Sequence, residues 1–211
     1  MNRNYQKDLE NLILKNQAEG VIPKLLLHSC CAPCSTYVIE YLSDFFEITV
    51  FYYNPNIYPD QEYEMRAREQ KEFIRKFESK YPVTFLEGKF DKEIFYQNVK
   101  GHESDPEGSE RCLICYRQRL EKTAEQATEH KMDYFATTLT ISPLKNTQAL
   151  NEIGSQLSEE FHVKYLASDF KKQNGYKRSI ELSKEYNMYR QDYCGCIFSM
   201  KERLENRNNK E

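Results

Sequence analysis

The chain alternates short apolar stretches with longer stretches of helical periodicity. The short stretches are rich in leucine, β-branched and aromatic residues, which favour strands, and they occupy residues 24–28, 46–53, 82–86, 134–139 and 163–167. Strands that alternate with helices pair in parallel through right-handed crossovers. The pattern therefore predicts a Rossmann-like, three-layer α/β domain with a mainly parallel sheet.

The stretches between the strands have the spacing of amphipathic helices. Helices are predicted over 1–20 and 35–46, over a segment with an apolar stripe from Tyr63 to Phe77, and on both sides of the polar loop at 101–110. Ser142 followed by Pro143 predicts the start of a further helix, because serine caps the first free amides and proline has no amide hydrogen to satisfy. The remainder is predicted to be helical, with one interruption at the last cysteines.

Length and composition agree with one folded domain. We expect a single domain over 1–211, with an α/β core at about 21–170 and a C-terminal helical extension at 171–211 that carries Cys194 and Cys196. The 7 glycines and 7 prolines are too few for a collagen-like or low-complexity chain, and 16 tyrosines and 12 phenylalanines supply much of the apolar core.

Charge and hydropathy exclude two classes of protein. The 30 Lys and Arg residues against 33 Asp and Glu residues give a net charge of -3, which excludes a basic, histone-like binder. The longest apolar stretches are far shorter than the ~20 residues of a membrane span, and the polar start is unlike a signal peptide. We expect a cytoplasmic protein with no membrane partner.

The seven cysteines fall into three tight groups. Each has another thiol within three residues, and the groups are Cys30, Cys31 and Cys34; Cys112 and Cys115; and Cys194 and Cys196. Cysteines used as small hydrophobic residues would be scattered, whereas a metal or cluster needs several thiolates to converge. In a reducing compartment such cysteines are ligands or redox groups more often than structural disulfides. The spacing therefore predicts a metal-thiolate centre closed by all three groups.

The residues alone leave the kind of centre open. Four thiolates suit structural zinc and an iron-sulfur cluster equally, so a zinc-stabilised RNA-binding domain fits, although seven thiols exceed what one zinc needs. Cys31 and Cys34 also frame a thioredoxin-like redox turn, which predicts a thiol-disulfide oxidoreductase and leaves four cysteines without a role. Arg111, Arg117 and Arg119 lie close enough in sequence to the middle pair to offset negative charge on a cluster.

Five motifs occur in order between about residues 24 and 204: LLLHSCCAPCST, YYNPNIYPDQEYEMR, ERCLICYRQRL, TTLTISPLKN and DYCGCIFS. Together they resemble epoxyqueuosine reductase of the QueH type, a family similar in fold to the HUP superfamily of adenine-nucleotide α-hydrolases. The resemblance implies an oxidoreductase that converts epoxyqueuosine to queuosine at the wobble base of tRNA. ATP-using HUP proteins have a glycine-rich phosphate loop after the first strand. Here that loop has no glycine and contains Pro33, which argues against ATP binding.

The resemblance also implies the cofactors. They are a 4Fe-4S cluster and a nearby mononuclear metal, expected to be iron. All seven cysteines are candidate metal ligands, and those expected to bind the cluster are Cys30, Cys31, Cys112, Cys115, Cys194 and Cys196. The last four of these would contribute most of its ligands, with the first group shared between cluster and second metal. An external electron donor such as ferredoxin or flavodoxin is expected, because the cluster passes electrons singly.

Further candidates surround the cysteines in sequence. Cys31 and Cys34 are candidate catalytic residues, and Asp192 and Tyr193 are candidate proton donors or metal ligands beside the last pair. His28, at the end of the first strand, is expected to be a core histidine with both ring nitrogens hydrogen-bonded. Candidate pocket residues at the end of the second strand are Tyr53, Asn54 and Asn56.

A tRNA surface has to be local on a chain of net negative charge. Phosphate binding depends on clustered Lys and Arg side chains, and the sequence offers three such clusters: Lys171 with Lys172, Lys177 with Arg178, and Lys145 with Asn146. A modified base in the anticodon loop is unstacked, so tyrosines near the site are expected to receive it by stacking.

Overall fold

The sheet is parallel throughout. The computed structural model describes residues 3–208, and within them the strands are β1 Lys24–His28, β2 Glu47–Tyr52, β3 Val83–Glu87, β4 Tyr134–Thr137 and β5 Lys164–Tyr165. Their order is β3-β2-β1-β4-β5, and each neighbouring pair is parallel. This is the order of the first five strands of a Rossmann sheet, so the predicted three-layer α/β fold is confirmed.

Helices cover both faces of the sheet. Their bounds are α1 Tyr5–Ala18, α2 Ala32–Leu42, α3 Asp60–Lys76, α4 Lys92–Asn98, α5 Glu110–Glu129, α6 Thr147–Phe161, α7 Gly175–Glu185 and α8 Ile197–Asn208. Parts of the predicted terminal helices, residues 1–2 and 209–211, lie outside the described residues. In this part of the chain no helix has the length and apolarity needed to cross a membrane.

The apolar core has one layer on each face of the sheet. On β1, Leu25 and Leu27 join a cluster with α1, α2 and α3, whereas Leu26 joins a second cluster with α5 and α6. All three leucines are fully buried. Because successive strand side chains point to opposite faces, one run of leucines contributes to both layers, which is why this strand has no polar alternation.

The end of β4 and the start of α6 differ from those the sequence predicts. β4 ends at Thr137, and a 3-10 helix over Thr138–Ile141 follows it. Helix α6 begins at Thr147 instead of after Ser142, because the Asn146 side chain accepts a hydrogen bond from the Ala149 amide at 3.0 Å. Asparagine caps helices at least as well as serine. The Ser142 hydroxyl caps only a local turn by accepting from the Leu144 amide.

The carboxyl ends of β1, β2 and β4 meet at one edge of the sheet. The first cysteine group follows β1, the loop with Asn54 and Asn56 follows β2, and the 3-10 helix follows β4. Helix α2 begins at Ala32, three residues before the predicted start at 35, with Pro33 in its first turn. The first cysteines are therefore held at the start of a helix, at the sheet edge where α/β proteins carry their sites.

Candidate metal centre

The first group of thiols is tightly packed between β1 and α2. The sulfur atoms of Cys30, Cys31 and Cys34 all lie within 4.8 Å of one another, and the Cys30 and Cys31 sulfurs are 3.8 Å apart. Cys31 is the N-cap of α2, and Cys34 lies in its first turn. Three sulfurs at this spacing can contact one metal ion at the same time.

The negative charge in this group is concentrated on Cys31. Hydrogen bonds from Cys30 and Cys34 lower the pKa of the Cys31 thiol, and the charge of Arg66 acts in the same direction. The Gln191 amide also donates to the Cys31 sulfur at 3.1 Å. The same hydrogen bonding to Cys31 raises the pKa of Cys30 to about 12. Cys31 is therefore the favoured thiolate, as expected at a helix N-terminus.

The other four cysteines line a second, smaller cavity. Cys112 and Cys115 lie in the first two turns of α5, and Cys194 and Cys196 lie in the loop that leads into α8. Backbone amides donate to two of these sulfurs, from Gly108 to Cys112 at 3.2 Å and from Ser199 to Cys196 at 3.4 Å. Burial raises the pKa of Cys115 to about 12, so a cation is needed to ionise this group.

Gly195 permits the turn between the last two cysteines. Its φ of +122° lies in the region that side chains disfavour, and an added Cβ would lie 3.1 Å from Nη1 of Arg66. Its carbonyl accepts a hydrogen bond from the Tyr58 amide at 2.8 Å. The turn is thus fixed against α3 and against the loop after β2.

The two groups of thiols are adjacent. Cys30, Cys34 and Cys194 line a common cavity of about 280 Å³, and Cys194 also lines the smaller cavity of the second group. The structure therefore brings all three cysteine segments to one place, at the N-terminal ends of α2, α5 and α8. Helix N-termini carry partial positive charge, which favours thiolates over thiols.

Four buried cations surround the seven thiols. Their side chains are at most 7% exposed, and they are Arg66, Arg111, Arg119 and Lys145. Three have a carboxylate partner: Glu62 at 2.8 Å from Nε of Arg66, Glu202 at 2.9 Å from Nη2 of Arg111, and Glu107 at 2.7 Å from Nζ of Lys145. Since buried positive charge stabilises thiolates, this ring suits an anionic metal-thiolate centre.

Two of these cations differ from the sequence-based expectation. Lys145, which the sequence offers as an RNA contact, is buried, and its Nζ lies 3.0 Å from the Cys194 sulfur. It therefore belongs to the site and not to a surface cluster. Arg66 was not predicted at all. By contrast, Arg117 remains exposed and pairs with Glu160 at 2.9 Å.

Asp192 and Tyr193 both line the cavity of about 280 Å³. The Asp192 carboxylate pairs with Arg203 and Arg207 of α8. The Tyr193 hydroxyl donates to the Tyr58 carbonyl at 2.8 Å, and partial burial raises the pKa of Tyr193 to about 12. Tyr193 is thus protonated at neutral pH. The structure places both side chains at the cavity, and their chemical roles stay predictions.

His28 is a core histidine, as the sequence predicts. Its side chain is fully buried, with Nδ1 2.9 Å from the Thr137 hydroxyl and Nε2 3.2 Å from the Tyr53 carbonyl. Burial lowers the pKa of His28 to about 3, so the ring is neutral. Of the loop residues after β2, Asn54 donates to the Ser29 carbonyl at 2.9 Å, and Asn56 lines the cavity of the second cysteine group.

We expect His28→Ala to lower the free energy of unfolding by about 3 kcal/mol, because it leaves a cavity and removes the ring partner of the Tyr53 carbonyl and of the Thr137 hydroxyl, which keeps only the hydrogen bond from the Leu139 amide. The measurement is urea unfolding followed by far-UV circular dichroism. The matched control is His130→Ala, since His130 is exposed at the end of α5, and its effect is expected to stay within about 0.5 kcal/mol. Equal losses in the two variants would contradict the prediction.

Comparison with known proteins identifies the family of this chain. The family model described as "Epoxyqueuosine reductase QueH" matches residues 25–202. A relative of that name from Streptococcus pyogenes serotype M1 is 46% identical over 200 residues, covering 94% of this chain and 78% of the relative. One from Staphylococcus epidermidis is 45% identical, covering 93% and 84%, and one from Thermotoga maritima is 38% identical, covering 86% and 92%.

A solved structure was also matched. It is described as a predicted subunit of tRNA methyltransferase from Methanocaldococcus jannaschii, with a TM-score of 0.49 and 12% identity, covering 76% of this chain and 74% of that chain.

The fold and the site define a parallel α/β protein with thiols from three segments gathered at the carboxyl edge of its sheet. The segment that matches the family model contains all seven cysteines. The chain belongs to the epoxyqueuosine reductase QueH family.

Proposed function

We propose that this chain reduces epoxyqueuosine to queuosine at the wobble position of tRNA, the last step of queuosine biosynthesis. The observation that carries the proposal is the meeting of three cysteine segments in adjacent cavities, within the region that matches the QueH family. The named relatives are epoxyqueuosine reductases at up to 46% identity. Since the substrate is tRNA, the proposed location is the cytoplasm.

The reaction fixes what the site must supply. Two C–O bonds of the epoxide break, a C=C bond forms between the two ring carbons, and the oxygen leaves as water. The balance requires two electrons and two protons. An external donor of the ferredoxin or flavodoxin class would deliver the electrons, and groups of the chain or water would deliver the protons.

The spacing of the first cysteine group suits a single metal ion. Two sulfurs bound tetrahedrally to one ion at ~2.3 Å lie about 3.8 Å apart, and the Cys30 and Cys31 sulfurs are 3.8 Å apart. The three sulfurs of Cys30, Cys31 and Cys34 lie within 4.8 Å of one another. This donor set fits the proposed mononuclear metal, with Cys31 as the sulfur that is most easily ionised.

The second group suits a larger centre. Among the described residues, no three of the four sulfurs lie within 4.8 Å of one another. The four belong to Cys112, Cys115, Cys194 and Cys196. A cluster of several irons holds its thiolates further apart than one ion does, and four cysteines are the usual ligand set of a 4Fe-4S cluster. When bound, the cluster would supply single electrons and the lone metal would act as a Lewis acid on the epoxide oxygen.

The chain's own groups would hold the substrate and its protons. The cavity of about 280 Å³ lies against both cysteine groups and is open to a nucleoside that has left its stack. Tyr193 and Asp192 line this cavity and are the proposed proton-donor or metal-ligand groups. To donate a proton to the substrate, the Tyr193 hydroxyl would have to give up its hydrogen bond to the Tyr58 carbonyl. Tyr176, which is 38% exposed, lines the same cavity and is a candidate stacking surface for a base.

The proposal is tested by assaying loss of epoxyqueuosine from tRNA with protein purified anaerobically and supplied with a reduced flavodoxin. The expected result is a brown protein that contains iron and sulfide and forms queuosine. A colourless protein with stoichiometric zinc would favour the RNA-binding domain. A metal-free protein with one reactive dithiol would favour the thiol-disulfide oxidoreductase. Full iron and sulfide without any queuosine would also contradict the proposal.

The tRNA surface is proposed to include Lys172 and Lys177. Both are exposed, and Lys177 follows Tyr176 at the cavity. The neighbouring cations are partly neutralised, since Lys171 pairs with Asp169 and Arg178 pairs with Glu40.

We expect the double variant Lys172→Glu and Lys177→Glu to weaken tRNA binding and to lower its salt slope by about 1.4, which corresponds to two single-strand phosphate contacts. Binding is measured by filter retention over a series of salt concentrations. The control is the double variant Lys24→Glu and Lys80→Glu, because both lysines are exposed near the opposite edge of the sheet. Iron content should stay the same in both double variants. An unchanged affinity at low salt would exclude this surface.

A further inference from the structure

Arg119 lies between the two groups of thiols. It is on α5, one turn after Cys115, and its side chain is 1% exposed. Its guanidinium lines both the cavity of about 280 Å³ and the smaller cavity of the second cysteine group. Nε donates to the Cys115 carbonyl at 3.2 Å, whereas Nη2 has no hydrogen-bond partner among residues 3–208.

Arg119 also differs from the other three buried cations in its charge balance. Arg66, Arg111 and Lys145 each have a carboxylate partner. Within the described part of the chain, Arg119 has none. A buried charge without a counter-ion is strongly unfavourable, so an anion has to balance it.

If both proposed centres are bound, the anions beside Arg119 would be metal-bound thiolates. Cys30 and Cys194 line the larger cavity together with Arg119, and Cys115 and Cys194 line the smaller cavity with it. A planar guanidinium presents N–H donors in several directions, which lets one side chain face two sites. Of the four buried cations, Arg119 alone lines both cavities, and it has no carboxylate within salt-bridge distance among residues 3–208.

We infer that Arg119 is a positioning residue that couples the two thiol groups electrostatically and raises the reduction potential of the four-cysteine centre. This rests on the proposed function. Taking up one electron adds one negative charge to that centre, and a buried positive charge beside it stabilises the reduced form. The same side chain also lines the cavity that is proposed to hold the substrate.

The inference is tested on the anaerobic, iron-loaded full chain. We expect Arg119→Met to shift the midpoint potential to more negative values, because the reduced form loses its counter-ion. Arg119→Lys keeps the charge and is expected to restore most of the potential. The matched control is Arg117→Met, since Arg117 is two residues away on the same helix but is exposed and paired with Glu160. Potentials are read by spectroscopy during mediated redox titration, with iron and sulfide measured on each sample.

The midpoint potentials of the Arg119 variants decide whether the inference holds. If Arg119→Met does not fold, Arg119→Gln is used, because its amide can replace the hydrogen bond to the Cys115 carbonyl without the charge. The inference is supported if the midpoint potential becomes more negative in Arg119→Met or Arg119→Gln. It should stay unchanged in Arg117→Met and be largely restored in Arg119→Lys. Unchanged potentials in variants with full iron and sulfide overturn it and leave the proposed function standing. A wild-type chain that binds neither iron nor sulfide overturns both.

Discussion

Replacing Cys112 by Ala is expected to abolish both the proposed iron-sulfur centre and turnover. Cys112 is one of four cysteines around the smaller cavity, and its sulfur accepts a hydrogen bond from the Gly108 amide. Without it the group has three thiols for four irons, so one iron has no protein ligand. The measurements are visible absorption, iron and sulfide content, and queuosine formation on tRNA. Cys194→Ala is expected to give the same result.

The control for this loss is Leu113→Ala. Leu113 is next to Cys112 on α5 and is partly buried, so its truncation perturbs the same helical turn without removing a thiol. Its iron and sulfide content should match those of the unchanged chain. A Cys112→Ala protein that keeps its visible spectrum, with full iron and sulfide, would show that this cysteine is not a ligand.

The fold was predictable because local patterns determine it. A leucine run that is buried on both faces of β1 and apolar stripes on α3 and α6 are periodic signals, and each predicts an element directly. The start of α6 was wrong by a few residues because two capping sequences compete at Ser142 and Asn146. Either residue type can cap a helix, so the sequence alone does not decide between them.

The thiols of the site could also be predicted, because seven cysteines in three groups have few other uses. The burial of the cations around these thiols was harder to predict from the sequence. Lys145 follows an exposed turn and Arg66 lies on a charged helix, and such residues are usually solvated. The pairing of Lys145 with Glu107 is a tertiary contact that no short motif encodes. Arg66 pairs with Glu62 one turn earlier on its own helix, and it is buried because the segment with Tyr193 and Gly195 packs over it. The one sequence signal for these cations is their position: both lie in segments that are close in space to the cysteines in the folded chain.

The two cysteine groups are expected to respond differently to mutation. Replacing Cys34 by Ala should abolish turnover while leaving the visible spectrum of the cluster in place. Cys34 is close to Cys30 and Cys31, and its sulfur lines the larger cavity but not the smaller one. The variant should therefore keep four irons and four sulfides and lose about one metal equivalent, since a single ion held by three thiols depends on each of them.

Elemental analysis of metal and sulfide on the same sample distinguishes this result from general damage. Tyr37→Phe serves as the control, because Tyr37 lies one turn further along α2 and has no part in either cavity, so both metal contents should be unchanged. If Cys34→Ala also bleaches the cluster, the two groups bind one shared centre and the assignment of a separate ion to the first group is wrong. If it keeps every metal and full turnover, Cys34 is neither a ligand nor catalytic, and the tight packing of the three sulfurs serves the stability of the turn between β1 and α2.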